Sequence, residues 1–208
     1  MRNAKDIFIA MPLPPDPSIS SRVGTADAVA GAGVFFGDGD SRNVSQPLLP
    51  HEPQTNNRGE LTAILLALAE REGELRAGRP VDVGTDSGYS IMMFGPAGRR
   101  TRARGWRNSR RKPCANPDLI RLALEWRDRY GHRFRFTHIY AHTGGSDERS
   151  VKNHKAGRLA VAGANKYGQI QGVIPVRPPY AGTPPSSPTR PPPAPHLFGS
   201  PLPSPSTG

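Results

Sequence analysis

One cysteine, Cys114, is all that the 208 residues contain. A lone thiol excludes an intramolecular disulfide and makes a reducing compartment the default, with Cys114 itself an unreactive thiol. Long apolar runs are also missing. Ile7 to Leu13 is too short and too interrupted by proline for a signal or membrane segment, so an intracellular chain, nuclear or cytoplasmic, with no membrane partner is expected. Acids are scarce: 17 Asp and Glu stand against 28 Lys and Arg, for a formal net charge of +11. Two stretches, 95–116 and 168–208, have no acid at all. This imbalance favours a polyanionic partner, nucleic acid before membrane.

The second acid-free stretch holds 13 of the 24 prolines and few large apolar residues. Such a segment cannot bury enough surface to offset the entropy of ordering, so 168–208 is read as a disordered, polyproline-like tail. Within it, Pro185-Ser186-Ser187-Pro188-Thr189-Arg190 fits a ligand for an aromatic groove, which makes a proline-motif-binding protein one partner suited to the tail.

The rest of the chain is patterned, without an internal repeat. Ile7 to Ala10 reads as a short strand followed closely by Pro12, Pro14, Pro15 and Pro17; proline cannot donate to a central ladder, so Met11 to Ser21 is expected to be irregular or at an edge. Val29 to Gly37 reads as a strand whose small residues admit another backbone, ending in the turn Gly37-Asp38-Gly39-Asp40, and Ser45 to Leu49 is a further strand. Thr55-Asn56-Asn57-Arg58-Gly59-Glu60 then runs into a helix fading near Gly73. Asn56 and Asn57 can cap it, and Leu61, Ile64, Leu65 and Leu68 form its core-facing stripe. A buried strand over Pro80 to Thr85, a brief helix over Ser87 to Phe94 and an acid-free loop over Gly95 to Asn116 follow. A helix from Asn116 to near Gly131, a strand over His132 to Ala141 and a helix over Glu148 to Ala164 complete an α/β order.

Three groups carry candidate chemistry. Glu60 is either a first-turn glutamate favoured by the helix dipole or an acid beside a buried face, which must be hydrogen-bonded, paired or metal-bound. Asp86 sits at the carboxyl end of a strand, where ligand chemistry collects in open α/β sheets. His142 lies on a loop after a later strand. A mixed sheet can gather the three at one edge, where two carboxylates attract hard divalent cations. Two such ions activate water and stabilise the leaving oxygen of a phosphodiester, and an imidazole shuttles protons near neutral pH. The 95–116 loop carries Arg99, Arg100, Arg102, Arg104, Arg107, Arg110, Arg111 and Lys112 around Trp106. A charge run is ordinarily a solvated loop, but eight cations without an acid among them, with an embedded aromatic, favour phosphate contact, which gives affinity and not sequence choice.

Thr55-Asn56-Asn57-Arg58-Gly59-Glu60, Thr85-Asp86-Ser87-Gly88-Tyr89, Gly105-Trp106 with Asn116-Pro117-Asp118-Leu119, and Ala141-His142-Thr143-Gly144-Gly145 occur in the order and spacing of type 1 ribonuclease H. The chain resembles that family from about Val29 to Ala164. The resemblance implies a ribonuclease H-like α/β fold, a five-stranded mixed sheet flanked by helices, that hydrolyses the RNA strand of RNA–DNA hybrids with Mg²⁺ or Mn²⁺. It further implies Glu60 and Asp86 as metal ligands and His142 as the loop histidine assisting proton transfer or product release. Asn56 and Asn57, with Arg58, fall on the hybrid-binding edge, where 2′-hydroxyls distinguish RNA from DNA. Arg104, Trp106, Arg107, Arg110, Arg111 and Lys112 occupy the place of its basic protrusion.

The departures are as specific as the matches. No Asp-Gly-Ser triplet supplies the first acid, and Asp16 in Asp16-Pro17-Ser18 is the nearest candidate for a catalytic and metal-binding role. The last acid should fall where Ala156-Gly157-Arg158-Leu159-Ala160 has Gly157, and the glutamine after Asp-Ser is Gly88. Three readings follow: a metal-dependent nuclease of weakened activity, an inactive module that binds hybrid or other nucleic acid through its arginine-rich loop, and an interaction protein acting through its tail. The expected division is a divergent, partly irregular N-terminus over 1–28, a ribonuclease H-like domain over 29–167 and the tail over 168–208, in a monomer.

Overall fold

The structure is a computed structural model that describes residues 5–9, 29–140 and 147–182. Its sheet has the order β3-β2-β1-β4-β5. The strands are β1 (Lys5–Ile9), β2 (Gly31–Phe35), β3 (Val44–Pro47), β4 (Val81–Thr85) and β5 (Phe134–His138). β2 pairs antiparallel with β1 and β3, whereas β1, β4 and β5 run parallel. The Ile7 strand therefore holds the centre of the sheet, and the sheet reaches further toward the N-terminus than residue 29. The prolines that follow do not interfere, because Lys5 to Ile9 contains none and every ladder donor is intact. Met11 to Ser21 lies outside the described residues.

Alternation along β2 explains the layers. Ala32 and Val34 face a core shared with α1 (Asn56–Glu70) and α5 (Pro117–Tyr130), and Phe35 faces a second cluster with Ala156 of α6 (Glu148–Ala164). A Cβ on Gly31 would lie 2.3 Å from Ala160 O, and one on Gly33 would lie 2.3 Å from Ala156 O. Glycine is thus required where α6 meets β2, as the small residues of this stretch suggest. On the opposite face a Cβ on Gly59 would come 2.5 Å from Gly31 O, so α1 also sits hard against the strand.

α1 is buried continuously from Arg58 to Leu68, not along the Leu61, Ile64, Leu65, Leu68 stripe alone. The sheet covers one side and α5 another, which accounts for leucine and alanine on every face. Its cap is Thr55, whose Oγ1 accepts from Arg58 N at 3.3 Å, and not either asparagine. α2 (Glu72–Arg76) and α3 (Gly88–Met93) flank β4 in the chain. The expected loop over 95–116 is corrected at its start: Pro96–Ala103 forms α4, begun by a proline in its first turn. No helix among the described residues is long and apolar enough to cross a membrane.

Disorder from Gly168 onward is also corrected, for 168–182. This segment straps across the end of the fold remote from Asp86. Gln46 exchanges two hydrogen bonds of 3.0 Å with the Ile174 backbone, and Trp126 Nε1 donates to Arg177 O at 3.0 Å. Arg177 Nη1 pairs with buried Glu72 at 2.5 Å, where Tyr130 Oη and Tyr180 N also donate. The strap has no acid of its own, but the domain supplies the acid it needs. Residues 183–208, including the proline motif, lie outside the described residues.

Candidate functional site

β4 ends at Thr85, and Asp86-Ser87 turns the chain into α3, with Ser87 Oγ capping the helix by accepting from Ser90 N at 3.1 Å. The cap reaches across to α1. Glu60 is 3% exposed, and its Oε2 accepts from Ser87 Oγ and, at 3.4 Å, from Ser90 Oγ. Burial pushes the Glu60 carboxyl up from 4.5 to about 7; the Asp86 charge adds to this and the serine hydroxyls oppose it. Glu60 is thus an acid whose ionised form lacks a counter-charge among the described residues at the edge where β4 ends.

Two residues that sequence reasoning missed adjoin Asp86. Asn153 of α6 is 8% exposed and donates from Nδ2 to Asp86 Oδ2 at 3.3 Å. His138 pairs in register with Thr85, places Nε2 3.3 Å from Asp86 O, and packs edge-on against Tyr140 at 4.8 Å between ring centroids. Asn153 was legible only as one turn before Gly157 on the same helix face; both are buried. His138 was legible only once Thr85 and His138 were known to be partners.

The structure thus brings Glu60 and Asp86 together. Asp16 and His142 lie outside the described residues. Nor does β1 supply an acid at this edge: Ile9 pairs with Thr85, the next residue in sequence is Ala10, and Asp6 is level with Asp82 near the other end of β4. Gly157 carries no ligand. Among the described residues no group of three or more His, Cys, Asp or Glu could hold a metal. The donors present are nevertheless hard oxygens: two carboxylates in electrostatic contact, and the Asn153 Oδ1, buried with no hydrogen-bond partner among the described residues. That set fits a divalent cation that keeps part of its water shell.

Asn57 is exposed and Asn56 half-buried at the start of α1, the end that carries Glu60. Arg58 is corrected: its side chain is 7% exposed, and its guanidinium is held by Glu52 at 2.6 Å and Asp118 at 2.7 Å. It ties α1 to α5 and has no face left for nucleic acid. The basic segment is an ordered turn after α4, in which Asn108 N donates to Lys112 O at 2.9 Å, Asn108 Oδ1 accepts from Arg110 N and Lys112 N, and Cys114 N donates to Trp106 O at 2.9 Å. Arg104, Arg107, Arg110, Arg111 and Lys112 are exposed on it. The eight cations are not all unopposed, since Asp128 of α5 pairs with Arg99 at 2.5 Å and Arg102 at 3.4 Å. Trp106 is half-buried against the core under the Arg121 guanidinium, 4.8 Å from its ring centroid.

The RNase H family model matches residues 16–165, more than half of the chain. The chain belongs to the ribonuclease H family. It is 43% identical over 106 residues to a ribonuclease H of Schizosaccharomyces pombe, covering 51% of this chain and 38% of that protein. It is 31% identical over 140 residues to one of Crithidia fasciculata, covering 55% and 28%. The chain therefore spans well under half the length of these two relatives. Among solved structures it is similar to the PFV RNase H domain, with a TM-score of 0.55, 18% identity and coverage of 78% of this chain and 94% of that one. It is also similar to a foamy viral protease-reverse transcriptase in complex with RNA/DNA hybrid, with a TM-score of 0.54, 16% identity and coverage of 77% and 20%. These two likenesses speak to the ribonuclease H-like α/β fold.

Proposed function

We propose that the chain is a ribonuclease H-type endonuclease that hydrolyses the RNA strand of RNA–DNA hybrids, with Glu60 and Asp86 holding Mg²⁺ or Mn²⁺. The observation that carries this reading is a buried Glu60, with a carboxyl pushed up to about 7, beside Asp86 at the carboxyl end of β4. When bound, the cation supplies positive charge to the phosphodiester and to the attacking water. The chain's own groups do the rest. Ser87 and Ser90 hold Glu60 by its Oε2, and Asn153 and His138 fix the side chain and backbone of Asp86. Asn56 and Asn57 meet the hybrid at the 2′-hydroxyl edge, and the exposed cations of the 104–112 turn bind its phosphates. His142 handles protons in this reading, and Asp16 is the remaining candidate acid. The working unit is a monomer, and the proline motif near its C-terminus serves a separate protein partner.

A second reading, a module that binds hybrid without cutting it, is favoured by Ala10 after β1 and by Gly157, which leave two acids where a full constellation holds more. Incubating end-labelled RNA annealed to DNA with Mg²⁺ or Mn²⁺ separates the two. Cleavage by the wild type that disappears in Asp86→Asn supports the nuclease. Equal products from both proteins overturns the nuclease reading at Asp86, and none from either, alongside retained hybrid binding, supports the module.

A further inference from the structure

The Asn153 carboxamide is poorly served by the protein around it. Its Nδ2 donates to Asp86 Oδ2 at 3.3 Å, whereas Oδ1 is buried with no hydrogen-bond partner among the described residues. Buried acceptors in folded proteins are nearly always paired, so an orphan of this kind asks for an electrophile. Exchanging the amide nitrogen and oxygen gives no relief, because it would press Oδ1 against a carboxylate, acceptor on acceptor. Position adds to the case. Asn153 lies in the first half of α6, on the buried face that also carries Ala156, Gly157 and Ala160, and that face is locked to β2 by a close backbone approach admitting no Cβ. The amide is therefore held in place beside Asp86.

We propose that Asn153 Oδ1 is the third oxygen ligand of the cation held by Glu60 and Asp86, a neutral donor one turn before Gly157, where the helix has no carboxylate. This rests on the cation reading of the site given above. Amide oxygens are ordinary ligands of hard divalent cations. A single amide would then do two things: Nδ2 orients Asp86, and Oδ1 meets the ion that Asp86 binds. Because the third donor is neutral, the site carries two negative charges and binds its cation more weakly than a three-carboxylate site.

The test uses the full chain and free Mn²⁺ followed by electron paramagnetic resonance. Wild type is expected to bind Mn²⁺, Asp86→Asn to lose most of that binding, and Asn153→Ala to weaken it by roughly tenfold or more. Metal-free melting of each variant checks that it is folded. A second readout sees only a ligand. In a Cys114→Ser background, Asn153→Cys places the sole thiol at 153, and Cd²⁺ is expected to give a sulfur-to-metal charge-transfer band that vanishes when Asp86→Asn is added. Mn²⁺ binding by Asn153→Ala equal to wild type overturns the ligand while leaving the cation site standing. Weakened binding without the thiolate band makes Asn153 a positioning residue and also overturns it. No Mn²⁺ binding by wild type removes the cation reading and this inference with it.

Discussion

Glu60 bears the electrostatic cost of the site. Its carboxyl is raised from 4.5 to about 7, so between those pH values the folded chain holds a proton that the unfolded chain has released. The resulting stability is present in acid, declines as pH rises through this window, and is gone above about 7. At roughly 1.36 kcal/mol per pH unit the whole effect is about 3 kcal/mol. In urea unfolding with chelator present, Glu60→Gln is expected to be more stable than wild type by about that amount at pH 8 and nearly equal to it at pH 5. A constant difference at both pH values would contradict a burial-driven shift. Much of this residue was legible in the sequence: an acid one turn before Ile64 has to sit beside an apolar face. What was not legible was its partner, since Ser87 and Ser90 are 27 and 30 residues away and meet it only because α3 starts where β4 ends.

At the scale of elements, the motif around Glu60 divides its labour. Asn57 faces outward, Glu60 faces inward, and Arg58 between them bridges Glu52 and Asp118, so that α1 and α5 are bound through one guanidinium. Removing it leaves carboxylates uncompensated, and Arg58→Ala is expected to cost about 3 kcal/mol in denaturant unfolding without changing the salt dependence of hybrid binding. The opposite pattern is expected for Arg107, Arg110 and Arg111 replaced together: stability unchanged, and a flatter plot of log affinity against log salt, by about one unit of slope for each phosphate that is no longer neutralised. An unchanged slope would remove the 104–112 turn from the interface. Sequence pattern alone put Arg58 with the binding residues because a conspicuous motif hides which of its members point inward. It also put Pro96–Ala103 in a loop, because a run of arginines reads as solvated although arginine is a good helix former.

Across the whole molecule, the order of elements apart from Pro96–Ala103 could largely be read from periodicity, while the centre of the sheet and the course of the C-terminal segment could not. β1 was overshadowed by the prolines after it, and its central place depends on pairing with β2 and β4, which are distant in sequence. The strap over 168–182 was hidden for the converse reason: a proline-rich segment without acids looks unable to pack until Glu72, Trp126 and Gln46 are seen to receive it. Arg177→Ala strands a 7%-exposed Glu72 carboxylate with, among the described residues, only Tyr130 Oη and Tyr180 N as donors, and is expected to lower stability by about 2 kcal/mol in a thermal or urea melt. Unaltered melting would make the strap incidental.

The central claim is that Glu60 and Asp86 form one cation-dependent site acting on RNA paired with DNA. Initial rates of cleavage of an RNA–DNA hybrid and of the same RNA paired with RNA, each at increasing Mg²⁺ or Mn²⁺, test it most directly. The expected result is cation-dependent cleavage of the hybrid alone, reduced at least about 100-fold in both Glu60→Gln and Asp86→Asn. Cleavage by either variant at the wild-type rate, or cleavage by wild type that persists in chelator, would contradict it.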